Sequence, residues 1–410
     1  MCVGIEAINV YAGVACMDVR TLFKERNLNL ERFDNLMMEK KSVGLPCEDP
    51  VTNAVNAAKP LVERLSAREK NRIELLIIAS ESGIDFGKSI GTYVHQYLGL
   101  GRNCRIFEVK QACYGGTAAF HMAVCFIASN ASPGAKALVI ATDTARTADR
   151  MTYAEPSQGT GAVAMIVSNV PDIMEIDFGA SGCCSYEVMD TCRPLPDKEV
   201  GNPDLSLLSY LDCLENSYRV YADKVEGANF AETFDYLAFH TPFCGMVKGA
   251  HRKMMRQFAK ADPDMIEADF RKRVVPSLEY CLKVGNVYSA TLYIALCSLI
   301  DNAKFEGVRR VGLFSYGSGC SSEFYSGLIS MCSKVLLAEM NIGGEIARRC
   351  ELSIQEYEQL LELNSEWAFG IRNKEADMSQ YSRIYREHAE GRGLLVLKRV
   401  CDYHREYVWS

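Results

Sequence analysis

No stretch of this 410-residue chain approaches the roughly 20 consecutive apolar residues needed to span a bilayer. The longest good candidate, Thr291 to Ile300, reads as a buried helix. The N-terminus, Met1-Cys2-Val3-Gly4-Ile5-Glu6, lacks the basic flank and apolar core of a signal peptide. Both absences point to a cytosolic protein. Metal-site spacings are also missing: there is no CxxC pair, and the six histidines form no HxxxH or HExxH. The vicinal pair Cys183-Cys184 stands without further ligands, so no metal is expected. Positive charge is not in excess either. The net charge of −7 argues against nucleic acid or an anionic membrane as the main partner.

What is present is ordinary globular composition, 48% hydrophobic and 24% charged. The length allows a large core and suggests two or more structural units. The 17 cysteines are scattered and odd in number, and a chain this long needs no disulfides, which suits a reducing compartment. Short β-branched or aromatic runs recur at Val3–Val10, Ile73–Ala79, Arg105–Val109, Ala137–Ala141 and Gly161–Ser168. They resume at Met174–Phe178, Tyr236–His240 and Arg310–Ser315, with helical stretches between them. This alternation predicts an α/β protein with largely parallel, buried sheets. A strand ending in a small-residue, glycine-rich turn occurs at Gln111–Thr117 and again at Phe314–Cys320. The echo suggests two pseudo-duplicated α/β halves, residues 1–170 and 171–410. The charged, helix-patterned tail beyond about 340 (Glu345–Leu363) would cap the core.

Two nucleotide-binding lookalikes fail on context. Gly83-Ile84-Asp85-Phe86-Gly87-Lys88-Ser89 has Ser82 where a phosphate loop needs its first glycine. Gly159-Thr160-Gly161-Ala162-Val163-Ala164 precedes a strand instead of opening a helix after one.

Cys113 is the most informative residue. It closes an apolar-alternating run and is followed by Tyr114-Gly115-Gly116-Thr117, which reads as strand, sharp turn, helix. Unpaired N–H groups and the helix dipole at such a place favour a thiolate. They can also stabilise an oxyanion formed when it attacks a carbonyl. The bland alternative is a small buried hydrophobe. Carbon–carbon bond formation would further require a base and a carbonyl-activating donor. Glu81 lies just past an apolar strand, where α/β sheets place functional residues and partial burial raises basicity; the alternative is a solvated loop carboxylate. His240 ends another apolar strand before Pro242 and is either a donor and proton relay or a satisfied structural histidine. Asn286, with the Ser315–Gly319 turn that holds Tyr316 and Ser318, could supply amide and backbone donors.

Taken together, these segments resemble the hydroxymethylglutaryl-CoA synthase family of the thiolase superfamily. The match includes Ser80-Glu81-Ser82, Phe107–Tyr114, Ile140–Arg146 and Glu155-Pro156-Ser157-Gln158-Gly159. It continues through Phe239-His240-Thr241-Pro242-Phe243, Gly285-Asn286-Val287-Tyr288 and Phe314–Gly319, covering about residues 3 to 330. The resemblance implies a thiolase-like fold, with mixed, mostly parallel sheets sandwiched by helices, and a homodimer. It also implies that Cys113 carries an acetyl thioester, Glu81 removes a methyl proton, and His240 polarises the acceptor ketone and protonates the alkoxide. Asn286, Ser318 and Tyr316 would hold the acceptor and its thioester oxygen. No tightly bound cofactor is implied, only phosphopantetheine thioester substrates.

Within the family the chain looks most like the polyketide β-branching synthases, which act on substrates tethered to acyl carrier proteins. Ser82–Ser89, Val188–Pro194 and Phe243–Arg256 suggest this. The loop between Arg146 and Glu155, only eight residues long, is shorter than that type often has. The basic cluster Lys248, Arg252, Lys253 and Arg256 is a candidate surface for an acidic carrier protein or the phosphate of its arm; the alternative is a solvated helix face. Two other readings are the same chemistry on free CoA thioesters for mevalonate, and a non-catalytic carrier-binding scaffold.

Overall fold

The computed structural model describes residues 2–145, 150–152, 154–196 and 198–410. Its central element is a sheet of nine strands: β1 (Gly4–Tyr11), β2 (Ile73–Ala79), β3 (Arg105–Val109), β4 (Lys136–Asp143), β5 (Gly161–Ser168), β6 (Met174–Ser185), β7 (Tyr236–Phe239), β8 (Arg309–Gly317) and β9 (Ser321–Ile329). Their spatial order is β7-β8-β9-β6-β1-β5-β4-β2-β3. The flanking helices are α1 (Pro50–Glu63), α2 (Gly115–Ala128), α3 (Pro203–Lys224), α4 (Cys244–Met254) and α5 (Thr291–Asn302).

The sheet is apolar on both faces because it is covered on both. Leu76 and Ile78 of β2 pack with Val51 and Val55 of α1, while Leu75 and Ile77 point the other way, toward Phe120 and Ala123 of α2. That period of two explains why β2 and β5 are buried at every position. Helix α1 is set by its cap: Asp49 accepts from Thr52 N–H, and Pro50 takes the first helical position. Helix α5 is buried from Thr291 through Ile300, as its apolar run predicts. Among the described residues no helix is long and apolar enough to cross a membrane.

The α/β class and the mixed sheet agree with expectation, but the strand directions do not. Within this sheet, among the described residues, only β7/β8, β2/β4 and β2/β3 are parallel. The other five neighbouring pairs are antiparallel. A strand covered by helices on both faces reads as a continuous apolar run whichever way its neighbour points, so the pattern carries no direction. Moving outward from the centre, β1-β5-β4-β2 and β6-β9-β8-β7 repeat the same sequence of antiparallel, antiparallel and parallel steps. The two sets join where β1 meets β6, at Gly4↔Glu175 and Ile5↔Met174. A Cβ on Gly4 would lie 2.0 Å from the Met174 carbonyl oxygen, so only glycine fits this seam.

Strand β9 escapes the sequence reading because it opens on Ser321-Ser322-Glu323. The tail is also not simply helical. Its first two helices, Ile342–Ala347 and Ile354–Ser365, are separated by Cys350–Glu351, which pairs with Ala15–Asp18, and a third spans Ser382–His388. It ends in a hairpin of Leu395–Cys401 and His404–Trp409. Leu395, Leu397 and Tyr407 enter the core beneath α1, and Arg405 and Tyr407 both donate to Asp49 (2.9 and 2.8 Å). The tail therefore does cap the core, through a hairpin as well as helices.

Candidate active site

Strands β2 and β3 are parallel neighbours whose last residues, Ala79 and Val109, stand side by side. The segments beyond them, bearing Glu81 and Cys113, therefore leave the sheet at one edge. Strands β7 and β8 end together in the same way, and the His240 N–H continues the ladder by donating to the Phe314 carbonyl (2.7 Å). Functional groups gather at the carboxyl ends of such strands because the chain turns there and leaves room for a ligand. Here that space is a cavity of about 1040 Å³ lined by Glu81, Cys113, His240, Asn286, Tyr316 and Ser318, among others. All six residues singled out from sequence for chemistry thus meet in one place.

The turn before α2 aims the thiol. Ala112 adopts a left-handed conformation (φ 43°), and the N–H groups of Tyr114 and Gly115 return to the carbonyls of Gln111 and Ala112 (3.1 Å each). A small side chain eases that conformation. Two glycines let backbone crowd the turn. A Cβ on Gly116 would lie 2.3 Å from the Ser289 carbonyl oxygen, and one on Gly317 would lie 2.6 Å from the Tyr114 nitrogen.

The Cys113 thiol donates to Glu81 Oε1 (3.6 Å). Burial pushes this thiol well above its usual range, and the negative charges of Glu81, Asp143 and Glu199 push it further. Desolvation and three carboxylates thus oppose the thiolate that a helix terminus is expected to favour. Burial likewise pushes Glu81 up to about 8; Arg193 opposes the shift while Asp143 and Glu199 add to it. His240 is 2% exposed, and burial takes it down to about 3, leaving a neutral imidazole.

Asp143 organises the site from beneath. Its Oδ1 accepts from the Glu81 N–H (2.8 Å) and the hydroxyls of Ser80 (3.2 Å) and Ser82 (3.0 Å). Its Oδ2 accepts from the Ser289 hydroxyl (2.6 Å) and N–H (3.2 Å). One fully buried carboxylate thus ties the Ser80–Ser82 segment to the turn after Asn286. Asn286 itself is fixed by Tyr288 N–H and the Thr291 hydroxyl, both donating to Oδ1 at 2.9 Å. With that oxygen occupied, the amide's remaining capacity is its NH2 donor, as expected of an oxyanion ligand.

A profile of the N-terminal part of hydroxymethylglutaryl-coenzyme A synthases matches residues 1–172, and one of the C-terminal part matches residues 199–268 and 256–405. The chain belongs to the hydroxymethylglutaryl-CoA synthase family. It is 53% identical to the polyketide biosynthesis 3-hydroxy-3-methylglutaryl-ACP synthase PksG of Bacillus subtilis, with 99% of each chain covered. Identity to the hydroxymethylglutaryl-CoA synthase of Enterococcus faecalis is 32%, covering 88% of this chain and 91% of that one. The crystal structure of the curacin pathway HMG synthase with acetyl donor-ACP superposes at a TM-score of 0.98, with 55% identity and full coverage of both chains. The thiolase-like fold is shared throughout.

The rest of the synthase site differs from the sequence reading in two respects. Tyr316 lines the cavity, yet its hydroxyl donates to buried Asp190 (2.5 Å), whose other oxygen accepts from Gly319 N–H (2.9 Å). It is a brace for the Ser318–Gly319 turn and not a free donor. The basic cluster lies on and beyond α4, away from the cavity lining. Lys248 pairs with Glu267 (2.9 Å) and Lys253 with Glu215 (3.0 Å), so the helix's acidic neighbours use two of the four cations. Arg252 and Arg256 are exposed, between two shallow surface grooves.

Sequence reasoning passed over Asp143, Arg193 and Glu155, although all three stand in segments that carry the family resemblance. Arg26 donates to Glu155 from Nε and Nη2 (2.7 and 2.8 Å), anchoring a short turn. From that turn the Ser157 carbonyl accepts Asn286 N–H (2.7 Å). Within the loop singled out for its length, Arg146 to Asp149 and Tyr153 lie outside the described residues. Among the described residues no group of three or more His, Cys, Asp or Glu side chains could hold a metal ion.

Proposed function

We propose that this synthase performs β-branching: it adds an acetyl group, carried on Cys113, to the β-ketone of an acyl chain tethered to an acyl carrier protein. The observation that carries the reading is the thiol–carboxylate pair of Cys113 and Glu81, 3.6 Å apart, in one cavity with neutral His240. Such a thiol needs a neighbouring base to attack a thioester, and Glu81 is placed to take its proton and pass it to the departing phosphopantetheine sulfur. Regenerated as carboxylate, Glu81 then removes a proton from the acetyl methyl. The C–H electron pair becomes the enolate double bond, and the enolate carbon attacks the ketone. His240 donates to the ketone oxygen and yields its proton to the alkoxide, with solvent in the cavity restoring it. Water finally cleaves the Cys113 thioester. Asn286 and the backbone at Ser318 hold the developing oxyanions.

Carrier-protein substrates are supported by the likeness to a named HMG-ACP synthase and to structures solved with apo, holo and acetyl donor-ACP. The acceptor is read as carrier-bound by the same chemistry. Exposed Arg252 and Arg256 remain the part of the basic cluster able to meet an acidic partner, and neutralising both should weaken carrier capture and flatten its salt dependence. We further read the chain as two halves divided at residue 170, supported by the repeated strand order and the profile boundary at 172. A homodimer is supported by β3, the nucleophile's strand, which among the described residues pairs only with β2 and leaves its other edge open. A cytosolic site is consistent with 17 free cysteines.

The test is acylation with radiolabelled acetyl-carrier protein and acetyl-CoA, followed by peptide mapping. Label on Cys113 that favours the carrier donor and vanishes in Cys113→Ala supports β-branching. Efficient labelling from CoA alone moves the reading to mevalonate-type synthesis. The absence of label from either donor would leave another acyl group or a carrier-binding scaffold.

A further inference from the structure

Glu81 does not stand alone. A two-stranded hairpin, Thr191–Leu195 and Lys198–Gly201, reaches the cavity from the C-terminal part of the chain. It carries Arg193 and Glu199 on its two strands. Arg193 Nη1 donates to the Glu81 carbonyl (3.0 Å), and Nη2 lies 3.5 Å from Glu81 Oε2 and donates to Glu199 Oε2 (2.7 Å). The guanidinium also faces the Tyr288 ring at 5.3 Å. Side-chain exposures are 11% for Arg193, 16% for Glu81 and 17% for Glu199, so all three are largely shielded and an incoming acyl chain would shield them further.

We propose that Arg193 and Glu199 are the positioning pair of the base, a role that rests on Glu81 being the group that enolises the acetyl thioester. Arg193 fixes the Glu81 carbonyl and favours its carboxylate, while Glu199 takes the larger share of the guanidinium charge and keeps that carboxylate basic. The geometry distinguishes this from a plain structural bridge. A guanidinium committed to Glu81 alone would form a close bidentate pair and quench the base. Here the shorter contact goes to Glu199, and Glu81 receives the longer one. The other charged or titratable groups near Glu81 are Asp143 beneath its N–H, Cys113 at its oxygen and neutral His240 in the cavity lining. Asp143 raises the cost of charging Glu81, which makes a compensating cation necessary.

The pair is tested by deuterium uptake into the acetyl group of acetyl-Cys113. Protein would be loaded from acetyl-carrier protein in D2O between pH 6 and 9 and read by peptide mass spectrometry. Arg193→Met should move the rising limb up by about one unit and slow exchange about tenfold at pH 7, since a neighbouring opposite charge lowers a carboxylate by about 1–3 units. Glu199→Gln should move the limb down, and Arg193→Lys should recover most of the wild-type profile. Full acetylation of Cys113 in each variant separates these shifts from misfolding. Shifts in the same direction, or lower amplitude on an unmoved limb, would overturn the pairing while leaving Glu81 as the base. No exchange in the acetylated wild type would overturn the pairing and the base assignment together.

Discussion

Gly116→Ala is the sharpest single test of how this site is held. The added methyl would lie 2.3 Å from the Ser289 carbonyl oxygen, about 1 Å short of ordinary contact. The obstacle is backbone, so no side-chain rotation relieves it, and the Ala141 Cβ at 3.3 Å limits retreat toward the sheet. Alanine is the better helix former by about 1 kcal/mol, whereas overpacking costs about 1–3 kcal/mol. The net loss of stability should be modest, about 0–2 kcal/mol from those two terms. Activity should suffer more. Ser289 is bonded to Asp143, and Asp143 holds the Glu81 N–H, so a displacement of about 1 Å reaches both Cys113 and Glu81. Misplacement on that scale costs about a hundredfold in rate. Deuterium exchange into acetyl-Cys113 measures this directly, with thermal melting alongside. Gly249→Ala is the control: no atom lies within 4 Å of its added Cβ, so this helical position should be neutral or slightly stabilised. Wild-type exchange and melting in Gly116→Ala would refute the close packing of α2 on the Ser289 turn.

The electrostatics set three further outcomes. The Glu81 carboxyl ionises near 4.5 when unfolded and at about 8 when folded, so unfolding releases a proton between those values and the wild type loses stability as pH rises through them. Glu81→Gln removes that loss, so its melting advantage should be small at pH 5 and widen up to pH 8; an advantage independent of pH would contradict the burial argument. His240 should stay neutral from pH 5 to 8 in 13C or 15N spectra of the imidazole, and a titration near 6.5 would show that its burial is relieved in solution. Tyr316→Phe leaves fully buried Asp190 without one donor and should cost about 1–3 kcal/mol in denaturant unfolding. Unchanged unfolding would mean that Asp190 finds another partner.

The strands that carry function were legible because each is an apolar or apolar-alternating run that ends abruptly. The ends of β2, β3 and β5 fall where the residue pattern stops. Glu81, Cys113 and His240 could be found because each lies just past such an end. Strand direction was not legible, because two-sided burial erases the alternation that might have betrayed it. Nor could sequence reveal the ionisation of Cys113: a helix dipole is a local property, whereas Asp143 and Glu199 approach from distant segments. Tyr316 illustrates the same limit, since its occupied hydroxyl depends on Asp190 from far along the chain. Lys248 and Lys253 looked like free charges because Glu267 and Glu215 lie on other helices.

The dependence of Asp143 on Ser289 also sets a timetable for the newborn chain. Cys113 and Glu81 leave the ribosome about 200 residues before the Ser318 turn. At roughly 5–20 residues per second, that interval is on the order of 10–40 s. For most of it Cys113 lacks its backbone lid from Ser289, and for the first part it lacks the imidazole of His240 as well. A truncated chain ending before residue 286 would hold Cys113, Glu81 and His240 without the Asn286 amide or the Ser289 hydroxyl that binds Asp143. The site is therefore completed late, once the Ser318 turn joins the segments made before it.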